Sequence, residues 1–125
     1  MSYSKRLLIA SAFFGVIGVG IGGHMAGAGS LAWSAVHAHI LVVGWLSLFA
    51  WSMYYKVYTP PNAALAAVHF WTALVGAAGL NIGMYVYMMD TFLPEVLSLI
   101  LYISMGTVLI ISYIVFFIMT ILQPE

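Results

Sequence analysis

The chain has 125 residues, of which 65% are hydrophobic and 5% are charged, and its formal net charge is zero. With a mean hydropathy of +1.12, this composition excludes a water-soluble surface and indicates an integral membrane protein. The zero net charge argues against a nucleic-acid partner. Because the sequence has no cysteine, disulfides, thiolate ligands and iron–sulfur clusters are excluded, and any redox chemistry needs a cofactor held by other residues.

The first predicted membrane helix covers about residues 7–23, after a short basic start. A signal peptide is the alternative interpretation. Three more apolar segments follow, however, and no small-residue cleavage pattern precedes a soluble domain, so we expect this helix to be retained. It carries a stripe of small residues of the kind that lets helices pack closely in lipid, namely Gly15, Gly18 and Gly22. The segment 24–35, rich in Gly, Ala and Ser, is predicted to connect it to the next helix.

Three further apolar segments predict the helices 36–58, 63–88 and 97–122. Pro60 and Pro61 end the second of these because proline cannot continue a helix. The segment 90–94 is predicted to be a short turn. The expected fold is therefore all-α, a single four-helix transmembrane domain over residues 1–125 with up-down topology.

The few charged residues predict how this bundle lies in the membrane. Lys5, Arg6 and Lys56 fall on one side of the predicted helices, and Asp90 and Glu95 fall on the other. By the positive-inside rule both termini are then cytoplasmic. We expect the protein in a bacterial inner, or cytoplasmic, membrane.

Two histidines, His37 and His39, stand at the start of the second predicted helix. An imidazole in a bilayer is costly unless it binds something, pairs with another group or lines a polar cavity. Two positions on an α-helix are about 200° apart, so the two rings should point to nearly opposite sides at almost the same depth. On this spacing His37 shares its face with Gly44, Leu48 and, less closely, Trp51, and His39 shares its face with Leu46, Ala50 and Met53. The small residue beside His37 leaves room for a flat ligand or a neighbouring helix.

The expected depth of the other polar residues in the membrane decides which of them could share a ligand with His37 or His39. His24 should lie with the pair near the outer face, whereas His69 lies in the inner half, about 16 Å deeper than His39. His39 and His69 of one chain therefore cannot bind one iron together, but His24 with either member of the pair could, as could one of the pair with its copy in a dimer. Asn81 reaches a depth similar to the pair and could fix a ligand's second ring nitrogen or bond another helix. A structural role is expected for His69.

Several motifs follow one another in the second and third helices, about half of the chain: His37-Ala38-His39, Gly44-Trp45, Tyr58-Thr59-Pro60, His69-Phe70-Trp71 and Gly79-Leu80-Asn81. This series resembles part of subunit I, the catalytic subunit of haem–copper oxidases, and a set of small four-helix membrane proteins similar to it. The resemblance implies that the positions of His37 and His39 bind a high-spin and a low-spin haem from the two sides of one helix. The chain departs from the oxidase pattern because it lacks the helix with the other low-spin ligand and the histidines of the copper site. A complete oxidase is therefore not expected.

On these grounds we expect a b-type haem protein with one or two haems per assembly. His37 and His39 are the candidate iron ligands, and His24 and Asn81 are further candidates for contact with the cofactor. A homo-oligomer, with a dimer favoured, would shield the flat ligand from lipid. Electron exchange with quinol or a periplasmic partner and binding of a diatomic gas both stay open.

Two alternatives come from other classes of protein. The first is a cofactor-free accessory or assembly subunit of a respiratory complex, in which the histidines serve helix contacts. The second is a copper or other metal site built from His24, His37 and His39. We find no candidate catalytic residues for hydrolysis or phosphoryl transfer.

Overall fold

The computed structural model describes residues 1–89 and 91–124, which are helical apart from short connections. The four long helices are α1 (Tyr3–Ala28), α2 (Ser34–Val57), α3 (Ala63–Met88) and α4 (Glu95–Ile121). Each is long and apolar enough to cross a membrane. These four helices agree with the expected all-α class and with a membrane protein. Helix α3 has the bounds that the sequence predicts.

Helix α1 is longer at both ends than the predicted 7–23. Its start is capped by the Ser2 hydroxyl, which accepts from the backbone N–H of Lys5 at 3.3 Å. Its end is set by Gly29, whose φ of +62° is left-handed; Gly29 and Ser30 then donate to the carbonyls of Ala26 and Met25, which is a Schellman cap. The predicted end was wrong because glycine and alanine are tolerated in membrane helices. Only the left-handed glycine stops the helix.

Helix α2 is not a regular α-helix. A π-helical segment, Ile40–Ser47, follows directly after the two histidines. The Ser47 hydroxyl donates back to the carbonyl of Val42 at 2.8 Å, and Ser11 of α1 donates to the carbonyl of Trp45 at 2.8 Å. A π turn contains more residues than an α-helical turn, so the rotation per residue differs from the 100° of an α-helix. A projection at 100° per residue therefore does not give the directions of the side chains from Ile40 onward.

The chain divides into two compact units, residues 1–54 and 55–125. In the first unit α1 and α2 run antiparallel, because residues early in α1 meet residues late in α2. Ser52 donates to the carbonyl of Ser4 at 2.9 Å, whereas Gly18 of α1 is bonded to His37 near the start of α2. We call this pair, up to residue 54, the first hairpin, and count the end of α2 from Tyr55 with the second unit.

In the second unit α3 and α4 form a second antiparallel hairpin, which is packed through glycine. A Cβ added at Gly76 would lie 2.7 Å from the backbone nitrogen of Leu109, and one at Gly83 would lie 2.9 Å from the Cα of Tyr102. The two backbones therefore touch, as small residues allow in lipid. Helix α4 differs by one or two residues from the predicted 97–122, and in the predicted turn 90–94 residue Asp90 lies outside the described residues.

Candidate functional site

The His37 side chain faces α1. Its Nδ1 lies 2.9 Å from the carbonyl oxygen of Gly18, and the ring lies so close to Gly22 that a Cβ there would be 2.9 Å from Cε1. A carbonyl oxygen can only accept, so Nδ1 carries the proton and Nε2 of the neutral ring holds the lone pair. The neighbour that occupies the space beside His37 is thus a helix. The packing role expected for the glycine stripe is confirmed at both of these glycines.

The His39 side chain is held by its own helix. Its Nδ1 lies 2.9 Å from the carbonyl oxygen of Ala35, so here too Nδ1 is the donor and Nε2 holds the lone pair. Leu46, which the helical spacing places on the same face, is 54% exposed. Gly44, which it places with His37, is buried, and a Cβ there would collide with the ring of Phe14 in α1. These contacts show that α2 packs on α1 through His37 and Gly44, whereas Leu46 is exposed.

The two rings have the tautomer that suits a metal ligand. Histidine ligands usually donate their other ring nitrogen to a carbonyl or carboxylate, which fixes the ring and raises the basicity of the ligating nitrogen. A backbone carbonyl has this role at both His37 and His39. The donor chemistry therefore fits an iron bound at Nε2.

His24 is not brought to the His37 side of α1. Gly22 contacts the His37 ring, and His24 stands two residues later, about 200° around the helix. It is exposed, and its ring meets the edge of Trp33 at a centroid distance of 6.1 Å. Within residues 1–89 and 91–124, no three side chains of the metal-binding types come together. The structure therefore does not assemble the three-histidine copper site considered above.

Asn81 is 5% exposed and bonds within its own helix. Its Nδ2 donates to the carbonyl of Ala77 at 2.8 Å, and its Oδ1 has no hydrogen-bond partner among the described residues. A buried acceptor of this kind usually finds a partner. The contact to a ligand ring that the sequence suggested is not tested by these bonds.

His69 is completely buried in the second unit. The Tyr55 hydroxyl donates to the carbonyl of Ala66 at 3.1 Å, and its oxygen lies 2.7 Å from His69 Nδ1, which donates to it. The rings of Tyr55 and Phe116 lie 5.6 and 5.2 Å from the His69 ring. The expected bond across helices is present, since Tyr55 belongs to α2 and His69 to α3. The sequence analysis missed Tyr55 as the partner, since a tyrosine near a helix end is equally typical of a membrane interface.

An apolar groove of about 610 Å³ runs along the middle of α1, with Trp45 as one wall. It is lined by Ala12, Gly15, Val16, Val19, Gly20 and Trp45. Apart from the indole N–H of Trp45, the side chains of these residues offer only hydrocarbon and ring carbon. The groove therefore favours apolar contacts.

No family model matches the chain, and no curated protein and no solved structure is significantly similar to it. The function is therefore argued from the two histidines of α2 and their surroundings.

Proposed function

We propose that this chain is a membrane-bound haem protein that holds a b-type haem through one or both histidines of the His-x-His segment of α2. The observation that supports it is the pair of hydrogen bonds at 2.9 Å from the Nδ1 atoms to backbone carbonyls. They leave Nε2 as the lone-pair nitrogen in both rings. A bilayer makes such a nitrogen costly to keep without a partner, and a haem iron would satisfy it.

Haem suits these residues better than a bare metal ion. A bare copper or zinc ion takes most of its ligands from the protein, and the described residues bring no three such side chains together. A porphyrin supplies the equatorial nitrogens itself, so one or two histidines are sufficient. The bound haem would supply one-electron transfer or binding of a diatomic gas.

The charges support a location near the outer face of the membrane. The bond between Ser52 and Ser4 places the start of α1 beside the end of α2. Lys5 and Arg6 lie at this end, and so does Lys56, which follows Ser52 by one turn of α2. The positive-inside rule therefore makes this end of the helices cytoplasmic. The histidines belong to the opposite, outer end of the first hairpin. We place the protein in a bacterial inner membrane with both termini cytoplasmic, where quinol or a periplasmic protein could exchange electrons with it.

The open face of α2 supports a homo-oligomer. His39 is half-buried, and Val42 and Leu46, which follow it in α2, are each 54% exposed. A flat cofactor on this face would have one side uncovered in a single chain. A second copy, in a dimer, would cover it.

The proposal is tested by the absorption spectrum of the detergent-purified protein from cells supplied with a haem precursor. We expect a Soret band, and sharp bands on reduction with dithionite. Reduced bands that carbon monoxide leaves unchanged indicate two axial ligands and electron transfer, and shifted bands indicate an open gas-binding position. A colourless protein that stays colourless when haem is added after purification contradicts the proposal.

A cofactor-free accessory subunit of a respiratory complex is the second candidate. It is favoured by the use of His37 and His69 in contacts between helices. It predicts a colourless protein that purifies together with larger membrane subunits. The same spectrum therefore separates the two functions.

A further inference from the structure

We infer that the two histidines of α2 have different roles: His39 alone binds the haem, on the face of α2 that points away from α1, and His37 is a hydrogen-bonded latch between the two helices. The His39 part of this inference rests on the proposed function, whereas the latch does not. It differs from the resemblance, which implies one haem on each side of the helix.

The space beside His37 is occupied by the backbone of α1. A Cβ at Gly22 would lie 2.9 Å from Cε1, 3.5 Å from Nε2 and 3.6 Å from Nδ1, and carbon atoms pack at about 3.5–4.0 Å. The edge of the ring that contains both nitrogens therefore faces Gly22, and its closest approach is at Cε1. A porphyrin centred beyond Nε2 is a disc much wider than the imidazole, so it would overlap α1. Binding there requires α1 and α2 to separate.

The close approach is confined to the side of α1 that faces α2. A Cβ at Gly18 would collide with the side chain of Leu41, whereas one at Gly20 or Gly23 would meet nothing within 4 Å. The glycines opposite His37 therefore remove the side chains that would otherwise hold the helices apart. This allows Nδ1 to reach the Gly18 carbonyl at 2.9 Å. An interhelical bond of this kind is a common use of histidine in membranes.

The surroundings of His39 differ from those of His37, which is packed against α1. Its Nδ1 bond is to Ala35 of the same helix, so no second helix is held by it. Ala38 beside it is exposed, and Val42, one turn further on, is 54% exposed. A flat ligand can therefore approach the Nε2 side from outside the first hairpin without moving a helix.

Matched asparagine variants test the assignment. The Asn amide nitrogen can occupy the position of Nδ1 and donate to the same carbonyl, but the residue has no counterpart of Nε2. We expect His37→Asn to purify with the haem content and reduced spectrum of the wild type. His39→Asn should lose the Soret band while its helical circular dichroism is unchanged.

The latch has a readout that does not need haem. Thermal unfolding of the haem-free protein in detergent should occur at a lower midpoint for His37→Ala, and His37→Asn should restore most of the loss. His39→Ala, which breaks only a bond within one helix, should have a midpoint close to that of the wild type.

Four results would overturn all or part of the inference. A folded His37→Asn variant without haem makes His37 a ligand, and a His39→Asn variant with full haem removes His39 from the site. Equal unfolding midpoints for wild type, His37→Ala and His37→Asn remove the latch. A wild type that never binds haem refutes the proposed function and the His39 assignment, and the unfolding series then still decides the latch.

Discussion

The histidines of the two hairpins differ in their burial and in their hydrogen-bond partners. In the second hairpin, His69 is completely buried, bonded to Tyr55 and flanked by two aromatic rings. In the first hairpin, His37 and His39 are only half-buried, and their Nδ1 atoms bond to backbone carbonyls. The histidines of the two hairpins therefore differ in burial and in the partner of Nδ1, which is a tyrosine hydroxyl in the second hairpin and a backbone carbonyl in the first.

The glycines show the same contrast. In the second hairpin, glycine brings α3 and α4 into backbone contact, as at Gly76 and Gly83. In the first hairpin, glycine makes room for side chains of α2, including the ring of His37. The second hairpin is thus built for packing, whereas the first combines packing with a polar group presented on an open helix face. In the proposed function, the first hairpin is the one that holds the haem.

The largest effect on stability should come from Gly76→Ala. The added Cβ would lie 2.7 and 2.8 Å from backbone atoms of Leu109, and a backbone cannot move aside as a flexible side chain can. We expect a loss of about 1–3 kcal/mol in the free energy of unfolding, measured by denaturant titration in mixed micelles. Gly20→Ala, whose Cβ would meet nothing within 4 Å, is the control. Equal stability of the two variants would contradict the backbone contact.

The bond between Tyr55 and His69 should give the next largest effect. A double-mutant cycle of Tyr55→Phe and His69→Leu isolates its coupling energy. Membrane hydrogen bonds average about 0.6 kcal/mol and reach about 1.7 kcal/mol, and we expect a value in the upper half because the bond is short and His69 is buried. The haem spectrum should be unchanged in all three variants. A lost Soret band would place His69 in the cofactor site and end the contrast between the hairpins.

Gly22→Ala should destabilise the first hairpin by about 1 kcal/mol, the lower end of the range for overpacking, since the His37 ring can shift slightly. The matched control is Gly23→Ala, which has the same change in helix propensity and an open position. Thermal unfolding midpoints in detergent compare the two. A lower unfolding midpoint for Gly23→Ala than for Gly22→Ala would mean that the side of α1 that faces His37 is wrongly identified.

Ser11→Ala should have the smallest effect, about 0.6 kcal/mol. It removes the donor to the Trp45 carbonyl inside the π-helical segment. Ser104→Ala, at an exposed position of α4, is the control, and denaturant midpoints measure both. A stabilised Ser11→Ala would mean that this hydroxyl opposes the helix contact rather than supporting it.

The sequence predicted the features that depend on composition and spacing. Hydropathy placed all four helices, and the bounds of α3 were right because Asn62 caps its start and its apolar run is unbroken. The opposite faces of His37 and His39 followed from a two-residue spacing, which the π segment does not disturb because it begins after His39.

Features that depend on contacts between helices were not predictable in this way. The segment Ile40–Ser47 has no residue that excludes an α-helix, and its π geometry accompanies the bond from Ser11, 34 residues before Trp45. The partner of His69 lies 14 residues away in α2, and no local pattern identifies it. His37 and His39 look equivalent in the sequence, since only the packing of α1 distinguishes them.

The central claim is tested most directly by titrating haem into the purified apo-protein and its His39→Ala variant in lipid nanodiscs, with absorbance followed in the Soret region. The account predicts a saturable Soret band for the wild type and only the spectrum of free haem for the variant. Titration curves that coincide would contradict it.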